Sequence, residues 1–405
     1  MQQQAQVVVI GGGYAGVAAA NRLSGHPGVS VTLVNSRPVF VERIRLHQLA
    51  AGTDDALVEF GKVLAPSVRL VVDVVERIDA PARRLELASG DRLGYDHLVY
   101  AAGSVRAPAG VPGAAEHTLA IAQLGDADRL REELAALAPT APIAVVGGGP
   151  LGIEVASELA EQGRSVTLYC GGPLGPSLHP RGRRSVARRL DALGVAVVDG
   201  PASRVAAVER DAVVLADGST RSTALTIWAA GFVAPDLARL SGLTTDAAGR
   251  LLTDETLTSI DDDRIVAAGD SAAPSGLPLR MSCQAAEPLG GHAADTVLRR
   301  VDGRQPEPFV MAFVGLCISL GRRHGIFQFE HRNDTATRAH IGGRAGAAVK
   351  ELVCRGTVQQ LVLEARHPGA TRLPAAFGDR ERRRMLAVDA SDAVGAGANR
   401  GREGA

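Results

Sequence analysis

Residues 6–35 read QVVVIGGGYAGVAAANRLSGHPGVSVTLVN, and this stretch decides the fold. It begins with an apolar run typical of a parallel strand that is buried on both faces. A glycine turn, a helical pattern and a second apolar run then follow. Strand, glycine turn, helix and strand within about thirty residues is the order of a dinucleotide-binding βαβ unit. The stretch therefore predicts a parallel sheet with a helix packed on it.

Three glycines of this turn occupy the positions that such a unit requires. Gly11 permits the tight turn, Gly13 lets the backbone approach a pyrophosphate, and Gly16 lets the helix lie close to the sheet. The helix then points its free N–H groups and the positive end of its dipole at the phosphates. Tyr14 and Ala15, the first residues of the predicted helix, are expected to line the same site.

The pattern occurs a second time in residues 143–170, which read IAVVGGGPLGIEVASELAEQGRSVTLYC. One glycine fingerprint alone is a weak signal, but here both copies lie between a buried strand and a helix. The sequence therefore predicts two dinucleotide sites. The residues expected to bind the second dinucleotide are Gly147, Gly149, Pro150, Leu151 and Gly152.

Both copies lack the carboxylate that normally ends the second strand and accepts hydrogen bonds from a ribose. Asn35 stands there in the first copy, where its amide oxygen could still accept a hydrogen bond, and Cys170 stands there in the second. Without a carboxylate, rejection of a ribose 2′-phosphate is lost. Three residues further along could pair with such a phosphate: Arg181, Arg183 and Arg184. The choice between NADH and NADPH is therefore open.

Composition narrows the class of protein. The chain has 405 residues, of which 46% are hydrophobic and 22% charged, with a formal net charge of zero and a pI near 7.2. These values predict a soluble globular protein of two or three domains without a nucleic-acid partner. No secretory signal is expected, and no apolar stretch reaches the roughly 18 residues that a membrane-spanning helix needs.

The four cysteines (Cys170, Cys283, Cys317 and Cys354) lie far apart, and no two form a C-x-x-C pair. The sequence therefore predicts neither a zinc site nor a vicinal redox disulfide. Four reduced thiols in a cytoplasmic protein are expected.

Three further motifs are similar to those of a known family: YDHLVYAAGS (95–104), IWAAGF (227–232) and RIVAAGDSAA (264–273). With the two glycine turns, they resemble the FAD/NAD(P)-dependent pyridine nucleotide oxidoreductases. Within that family the resemblance is to the type II NADH dehydrogenase and apoptosis-inducing-factor-like branch. It runs from about residue 5 to about residue 365.

The resemblance implies an α/β fold with two Rossmann-like, doubly wound, three-layer domains, the second inserted in the first. The discontinuous FAD-binding domain would comprise 1–110 and 256–308, and the NAD(P)H-binding domain 111–255. A small C-terminal α+β domain for dimerisation or acceptor binding would comprise 309–375. The last residues, 376–405, carry a basic run without a useful apolar face and are expected to form a disordered tail. Membrane contact, if any, would be peripheral, at the inner face.

The resemblance also implies the residues that hold FAD. The family's aspartate in the late motif, here Asp270, hydrogen-bonds the ribityl chain of the flavin. In residues 40–52, FVERIRLHQLAAG, Arg43 and His47 are expected at the flavin site, with a solvated helix face as the alternative. The remaining residues expected to contact a cofactor are Val75, Ala102, Gly103, Gly231, Gly269, Gln284 and Ala285.

Hydride transfer from nicotinamide to flavin needs little acid–base help, because the cofactor carries the reaction and the protein stacks the two rings. The resemblance places Glu154 on the nicotinamide side of the flavin; a helix-start carboxylate favoured by the dipole is the alternative. His47 and Cys283 are the other candidate catalytic residues, Cys283 as a redox-active thiol or as a small packing residue. Glu158, one turn beyond Glu154, is expected to be structural.

The electron acceptor is less defined. Type II NADH dehydrogenases carry two glutamines four residues apart at the quinone pocket; Gln284 matches the first, and Pro288 stands in place of the second. We therefore expect an FAD-dependent NAD(P)H oxidoreductase whose acceptor is a quinone or another small oxidant. A reductase of a protein electron carrier and a non-turnover FAD protein that senses NAD(P)H are the alternatives. The C-terminal domain could also mediate a homodimer.

Overall fold

The computed structural model describes residues 4–374, 376 and 378–386. The N-terminal segment begins with a strand, a helix and a second strand, as the sequence predicts. Its strands are β1 (Ala5–Ile10), β2 (Val29–Asn35), β3 (Val39–Val41), β4 (Leu57–Glu59), β5 (Arg69–Val72), β6 (Val75–Asp79), β7 (Arg84–Leu87), β8 (Arg92–Gly94), β9 (His97–Tyr100) and β10 (Val105–Arg106). Its helices are α1 (Tyr14–Ser24), α2 (Leu46–Ala51) and α3 (Phe60–Val63), with a 3-10 turn at Arg43–Arg45.

The middle segment repeats this arrangement. Its strands are β11 (Leu119–Ala120), β12 (Pro142–Val146), β13 (Ser165–Tyr169), β14 (Ala196–Val198), β15 (Val205–Val208), β16 (Ala212–Leu215), β17 (Thr220–Ser222), β18 (Leu225–Trp228) and β19 (Phe232–Val233). Its helices are α4 (Ala114–His117), α5 (Leu124–Ala136), α6 (Pro150–Glu161), α7 (Pro180–Ala192) and α8 (Leu237–Leu240), with a 3-10 turn at Pro201–Ser203.

In its described part, the last segment contains two long helices and six strands. The strands are β20 (Leu251–Thr253), β21 (Ile265–Ala267), β22 (Ala272–Pro274), β23 (Gly315–Ser319), β24 (Gly325–Glu330) and β25 (Ala336–Gly342). The helices are α9 (Cys283–Val301) and α10 (Gly343–Arg366), with a 3-10 turn at Gly269–Ser271. No helix within the described ranges is both long and apolar enough to cross a membrane.

Two five-stranded parallel sheets share the arrangement of four strands, β9-β1-β2-β5 in one and β18-β12-β13-β14 in the other, and differ in the edge strand, which is the last in chain order in the first sheet and the first in the second. Their orders are β21-β9-β1-β2-β5 and β11-β18-β12-β13-β14. Each is accompanied by an antiparallel sheet, β6-β7-β8 or β15-β16-β17. Because β21 joins the first sheet only after the second sheet is complete, the second domain is inserted in the first. The predicted α/β fold class is confirmed.

The C-terminal part is an antiparallel sheet, β23-β24-β25, against which α10 packs. Beyond it, the structure differs from the predicted tail of 376–405. Residues 380–386 are helical, and Arg382 donates to the carbonyl oxygens of Pro274 at 2.9 Å and of Leu277 at 2.6 Å. This part of the chain is therefore attached to the first domain, while residues 387–405 lie outside the described residues.

Helices α1 and α9 pack so closely that one contact requires glycine. A Cβ atom built at Gly290 would lie 2.0 Å from the carbonyl oxygen of Ala15. Arg22, on α1, is buried and pairs with Asp295 of α9 at 2.8 Å and with Glu364 of α10. These contacts hold the helix of the first glycine turn against both long helices of the last segment.

We predict that Gly290→Ala lowers the free energy of unfolding by about 1–3 kcal/mol, since the added methyl group forces α1 and α9 apart. Gly356→Ala is the matched control, because Gly356 lies within α10 and nothing is within 4 Å of the Cβ built there. The control should be neutral or stabilising by up to about 1 kcal/mol. Urea denaturation measures both, and equal effects would contradict the close contact.

Candidate functional site

The first glycine turn has two crowded positions and one open position. A Cβ built at Gly11, whose φ is +96°, would lie 2.3 Å from the carbonyl oxygen of Ala101. A Cβ built at Gly16 would lie 1.8 Å from the carbonyl oxygen of Gly11. Nothing lies within 4 Å of the Cβ built at Gly13. The turn thus excludes side chains where β1 meets α1 and leaves room where a pyrophosphate would approach.

Asn35 holds this turn from the end of β2. Its Oδ1 accepts a hydrogen bond from the backbone N–H of Gly12 at 2.8 Å, and its Nδ2 donates to the carbonyl of Arg37 at 2.8 Å. The amide therefore shapes the loop at the place where the usual carboxylate would stand. One oxygen lone pair of the amide stays available, which fits the predicted contact with a ribose.

The second turn reproduces this geometry. Gly147 has a φ of +131°. A Cβ built at Gly152 would lie 1.9 Å from the carbonyl oxygen of Gly147. Nothing lies within 4 Å of the Cβ built at Gly149. Pro150 is the first residue of α6, where its missing N–H breaks no helical hydrogen bond. Leu151 follows it in the first turn of that helix. Both turns can therefore cradle a dinucleotide.

Asp270 lies in a polar cluster built from three segments. The hydroxyl of Ser104 donates to Asp270 Oδ2 at 2.7 Å, and Arg43 Nη1 lies 3.5 Å from the same oxygen. Arg43 also donates to Ser104 Oγ at 3.0 Å. Left-handed glycines place the cluster, since φ is +70° at Gly103 and +69° at Gly269. The sequence reasoning missed Ser104, although it is the last residue of the YAAGS motif.

Other residues predicted to contact the flavin are packed against neighbouring parts of the chain. Val75 and Ala285 are buried in the hydrophobic core. Ala102 packs against the core around Val75. With its amide oriented to satisfy both neighbours, Gln284 donates to the carbonyl of Gly315 and accepts from the N–H of Val314, each at 3.1 Å. Gln284 therefore ties α9 to the start of β23.

Glu154, on α6, is buried against three other parts of the chain. Its Oε1 lies 3.0 Å from Nζ of Lys350 and accepts a hydrogen bond from the N–H of Ser319 at 3.0 Å. Its Oε2 lies 3.7 Å from Nδ1 of His47. The carboxylate thereby links α6 of the second domain to α2, β23 and α10.

The electrostatics of this group follow from burial and from the Glu154–Lys350 pair. Burial favours a higher pKa for Glu154, but Lys350, His47 and the Ser319 N–H outweigh it and hold that pKa below its usual value. Burial favours a lower pKa for Lys350, but Glu154 raises it above its usual value. Burial lowers the pKa of His47 to about 4, so its ring is neutral near pH 7. The group is therefore an ion pair beside an uncharged imidazole.

Sequence reasoning did not identify Lys350 as a site residue. One signal was present: the chain has only two lysines, Lys62 and Lys350, and its other basic side chains are arginines or histidines. A lysine presents a compact charge with three donors, which suits a buried contact with a single carboxylate.

Burial affects the ionisation of two further residues named from the sequence, Cys283 and Glu158. Burial and, to a smaller extent, the charge of Glu287 raise the pKa of the Cys283 thiol to about 12. A thiolate nucleophile is therefore not supported there. All four cysteines are free thiols. Glu158 is buried and accepts a hydrogen bond from the hydroxyl of Thr53, and burial raises the pKa of its carboxyl.

The arginines predicted to pair with a ribose 2′-phosphate lie elsewhere. Arg181 and Arg184 are on α7, which packs against β24 and β25. They surround His179 together with Arg338 and His340, and burial followed by these basic groups lowers the pKa of His179. The predicted phosphate contact is therefore not supported, because α7 turns this basic surface towards the C-terminal sheet.

Comparison with known proteins places this geometry in context. A sequence model described as pyridine nucleotide-disulphide oxidoreductase matches residues 5–290. The chain is 26% identical over 329 residues to the NADH dehydrogenase-like protein YutJ of Bacillus subtilis, covering 79% of this chain and 91% of that protein. It is 27% identical over 365 residues to a type II NADH:quinone oxidoreductase of Staphylococcus aureus, covering 80% of this chain and 90% of that protein.

Solved structures share the fold. The sulfide:quinone oxidoreductase of Aquifex aeolicus matches with a TM-score of 0.75 at 20% identity, covering 89% of this chain and 92% of that chain. NDH2 of Plasmodium falciparum in complex with NADH matches with a TM-score of 0.75 at 15% identity, covering 92% of this chain and 100% of that chain.

We predict that Lys350→Met lowers the free energy of unfolding by about 3–5 kcal/mol, because it leaves the Glu154 carboxylate buried without its counter-charge. Adding Glu154→Gln should restore most of that loss, since no uncompensated charge then remains. Lys62→Met is the matched control: Lys62 is exposed, and the change should stay within about 0.5 kcal/mol. Chemical denaturation measures all four proteins, and a stable Lys350→Met variant would contradict the role of the pair.

The depressed pKa of His47 predicts a loss of stability in acid. Below pH 6.5 the unfolded chain binds a proton at this residue that the folded chain does not bind until about pH 4, so stability falls as the pH falls between these values. The His47→Gln variant should therefore lose about 2 kcal/mol less unfolding free energy than the parent between pH 7 and pH 5. Exposed His367→Gln is the control; if both variants follow the parent, the explanation is wrong.

Proposed function

The chain belongs to the pyridine nucleotide-disulphide oxidoreductase family, and on that premise we propose that it is an FAD-dependent NAD(P)H oxidoreductase. The first glycine turn and the Asp270 cluster would hold FAD, the second glycine turn would hold NAD(P)H, and the two cofactors would supply hydride transfer and electron delivery to an acceptor. The two turns, their open glycines and the Asp270 cluster fit these two dinucleotides. A quinone is the acceptor that we propose first.

One observation carries this proposal: the segments that leave the two parallel sheets are joined directly. Strand β10, which follows the Gly103 turn, pairs antiparallel with β19, which follows the Gly231 turn. The N–H of Ala107 donates to the carbonyl of Gly231 at 3.1 Å, and the Arg43 guanidinium lies 6.0 Å from the ring centre of Phe232. Since ligands bind at the carboxyl ends of parallel strands, this joint brings the two cofactor sites together.

The residues around the site have separate tasks in this proposal. Asp270, Ser104 and Arg43 form a charged, hydrogen-bonded surface for the flavin chain. The N–H groups at the start of α9, whose N-cap is Ser282, favour negative charge on a ligand placed there. Lys350 holds a proton at Nζ beside Glu154. Because a quinone takes up two protons with two electrons, such a group suits the acceptor side.

A quinone acceptor is supported by relatives rather than by a motif. The Staphylococcus aureus relative is a type II NADH:quinone oxidoreductase. Pro288 argues against a quinone acceptor, because it lies inside α9 in place of the second family glutamine. Peripheral membrane contact and a homodimer both stay predictions.

We predict that Glu154→Gln separates two acceptors in steady-state NAD(P)H oxidation. Reduction of menadione, which takes up protons, should slow by about 10²-fold, the scale of lost acid–base catalysis. Reduction of ferricyanide, which takes electrons alone, should change little. Exposed Glu209→Gln in the same domain is the charge-matched control. If the parent protein oxidises neither NADH nor NADPH with either acceptor, the proposed function is wrong; equal slowing of both acceptors would remove the proton role of the Glu154–Lys350 pair.

A further inference from the structure

At the second glycine turn, where the adenosine of a dinucleotide would bind, the end of β13 lies beside the end of β14. Strands β13 and β14 pair in parallel with Tyr169 opposite Val198. The pairing continues for one more residue, because the N–H of Cys170 donates to the carbonyl of Val198 at 2.9 Å. In this register Cys170 and Asp199 lie side by side at the carboxyl ends of adjacent strands. A carboxylate is therefore present one strand away from the place where the usual acid is missing.

The Cys170 side chain shows which face of the sheet this pair occupies. A Cβ built at Gly148 would lie 2.7 Å from the Cβ of Cys170, so the thiol faces the second glycine turn. Register partners in adjacent parallel strands point to the same face of a sheet, which puts Asp199 on the face of the turn. Burial, followed by the charge of Asp199, raises the pKa of Cys170 to about 12.

The Asp199 carboxylate is free to meet a ligand. It is exposed, and within the described part of the chain it forms no hydrogen bond or ion pair. Its short side chain follows directly on a strand, so little conformational freedom is lost when it accepts hydrogen bonds.

We infer that Asp199 takes over the role of the missing strand-end acid: it accepts hydrogen bonds from the adenosine ribose and repels a 2′-phosphate, so the chain prefers NADH to NADPH. This inference rests on the proposed function, because it concerns the nucleotide of that same second site. It also resolves the choice that Cys170 leaves open in the sequence.

Arg204 is the nearby residue that could favour the opposite choice. A Cβ built at Gly171 would lie 3.7 Å from the Cα of Arg204, and the N–H of Gly171 donates to the hydroxyl of Ser203 at 2.9 Å. The Arg204 side chain is exposed and long, so it must be ordered before it can hold a phosphate. Asp199 needs no such ordering, and we therefore give it the larger effect.

The test measures binding of ADP-ribose and of its 2′-phosphorylated form to the FAD-loaded protein by titration calorimetry. These probes contain the adenosine ribose but no nicotinamide, so the result does not depend on hydride transfer. The parent should bind ADP-ribose at least about tenfold more tightly, which corresponds to about 1.4 kcal/mol. Asp199→Asn should reduce that preference to about threefold or less, whereas Asp191→Asn, at an exposed position on α7, should keep it.

A rescue variant distinguishes loss of the carboxylate from a structural effect of the Asp199→Asn substitution. Adding Cys170→Asp to Asp199→Asn returns a carboxylate to the usual strand end and should restore the preference for ADP-ribose. Arg204→Ala should leave the parent preference in place.

Each contrary result has one meaning. A parent that prefers the phosphorylated probe, or an Asp199→Asn variant with the parent's preference, overturns this inference and leaves the proposed function intact. A parent that binds both probes equally also overturns this inference and leaves the proposed function intact. A parent that binds neither probe removes the second dinucleotide site and with it the proposed function.

Discussion

Gly16 and Gly152 have no space for a side chain, and the close packing of α1 and α6 on their strands depends on this. Carbonyl oxygens lie 1.8 Å and 1.9 Å from Cβ atoms built at Gly16 and Gly152, so α1 and α6 can start this close to their strands only at glycine. That closeness aims the free N–H groups of both helices at the open positions beside Gly13 and Gly149. Every later part of the chain, including the joined β10 and β19 segments, is arranged around these two turns.

Much of this could be predicted from sequence because the deciding interactions are local. A glycine turn between a buried strand and a helix lies within about thirty residues, and its geometry follows from those residues alone. The same holds for the motifs around Gly103 and Asp270, whose glycines have positive φ. Both parallel sheets and the insertion of one domain in the other follow from recognising these patterns in order.

The contacts that sequence reasoning missed join distant parts of the chain. Lys350 reaches Glu154 because α10 packs against the C-terminal sheet, whose strand β23 contacts α6 of the inserted domain. The direction of the α7 arginines depends on where β25 packs, and the neighbour of Cys170 depends on the register of β14. Hydrophobic periodicity predicts that such elements exist, but it does not say which polar side chains they bring together.

The proposed function requires two dinucleotides to lie close enough in this one chain for direct hydride transfer. The most direct test is anaerobic single-turnover reduction of the FAD-loaded protein by NADH carrying deuterium on one or the other face of nicotinamide C4. We expect the flavin absorbance to bleach, and deuterium on one face alone to slow the bleaching. A flavin that stays oxidised with both NADH and NADPH would rule out direct hydride transfer, as would bleaching that is insensitive to deuterium on either face.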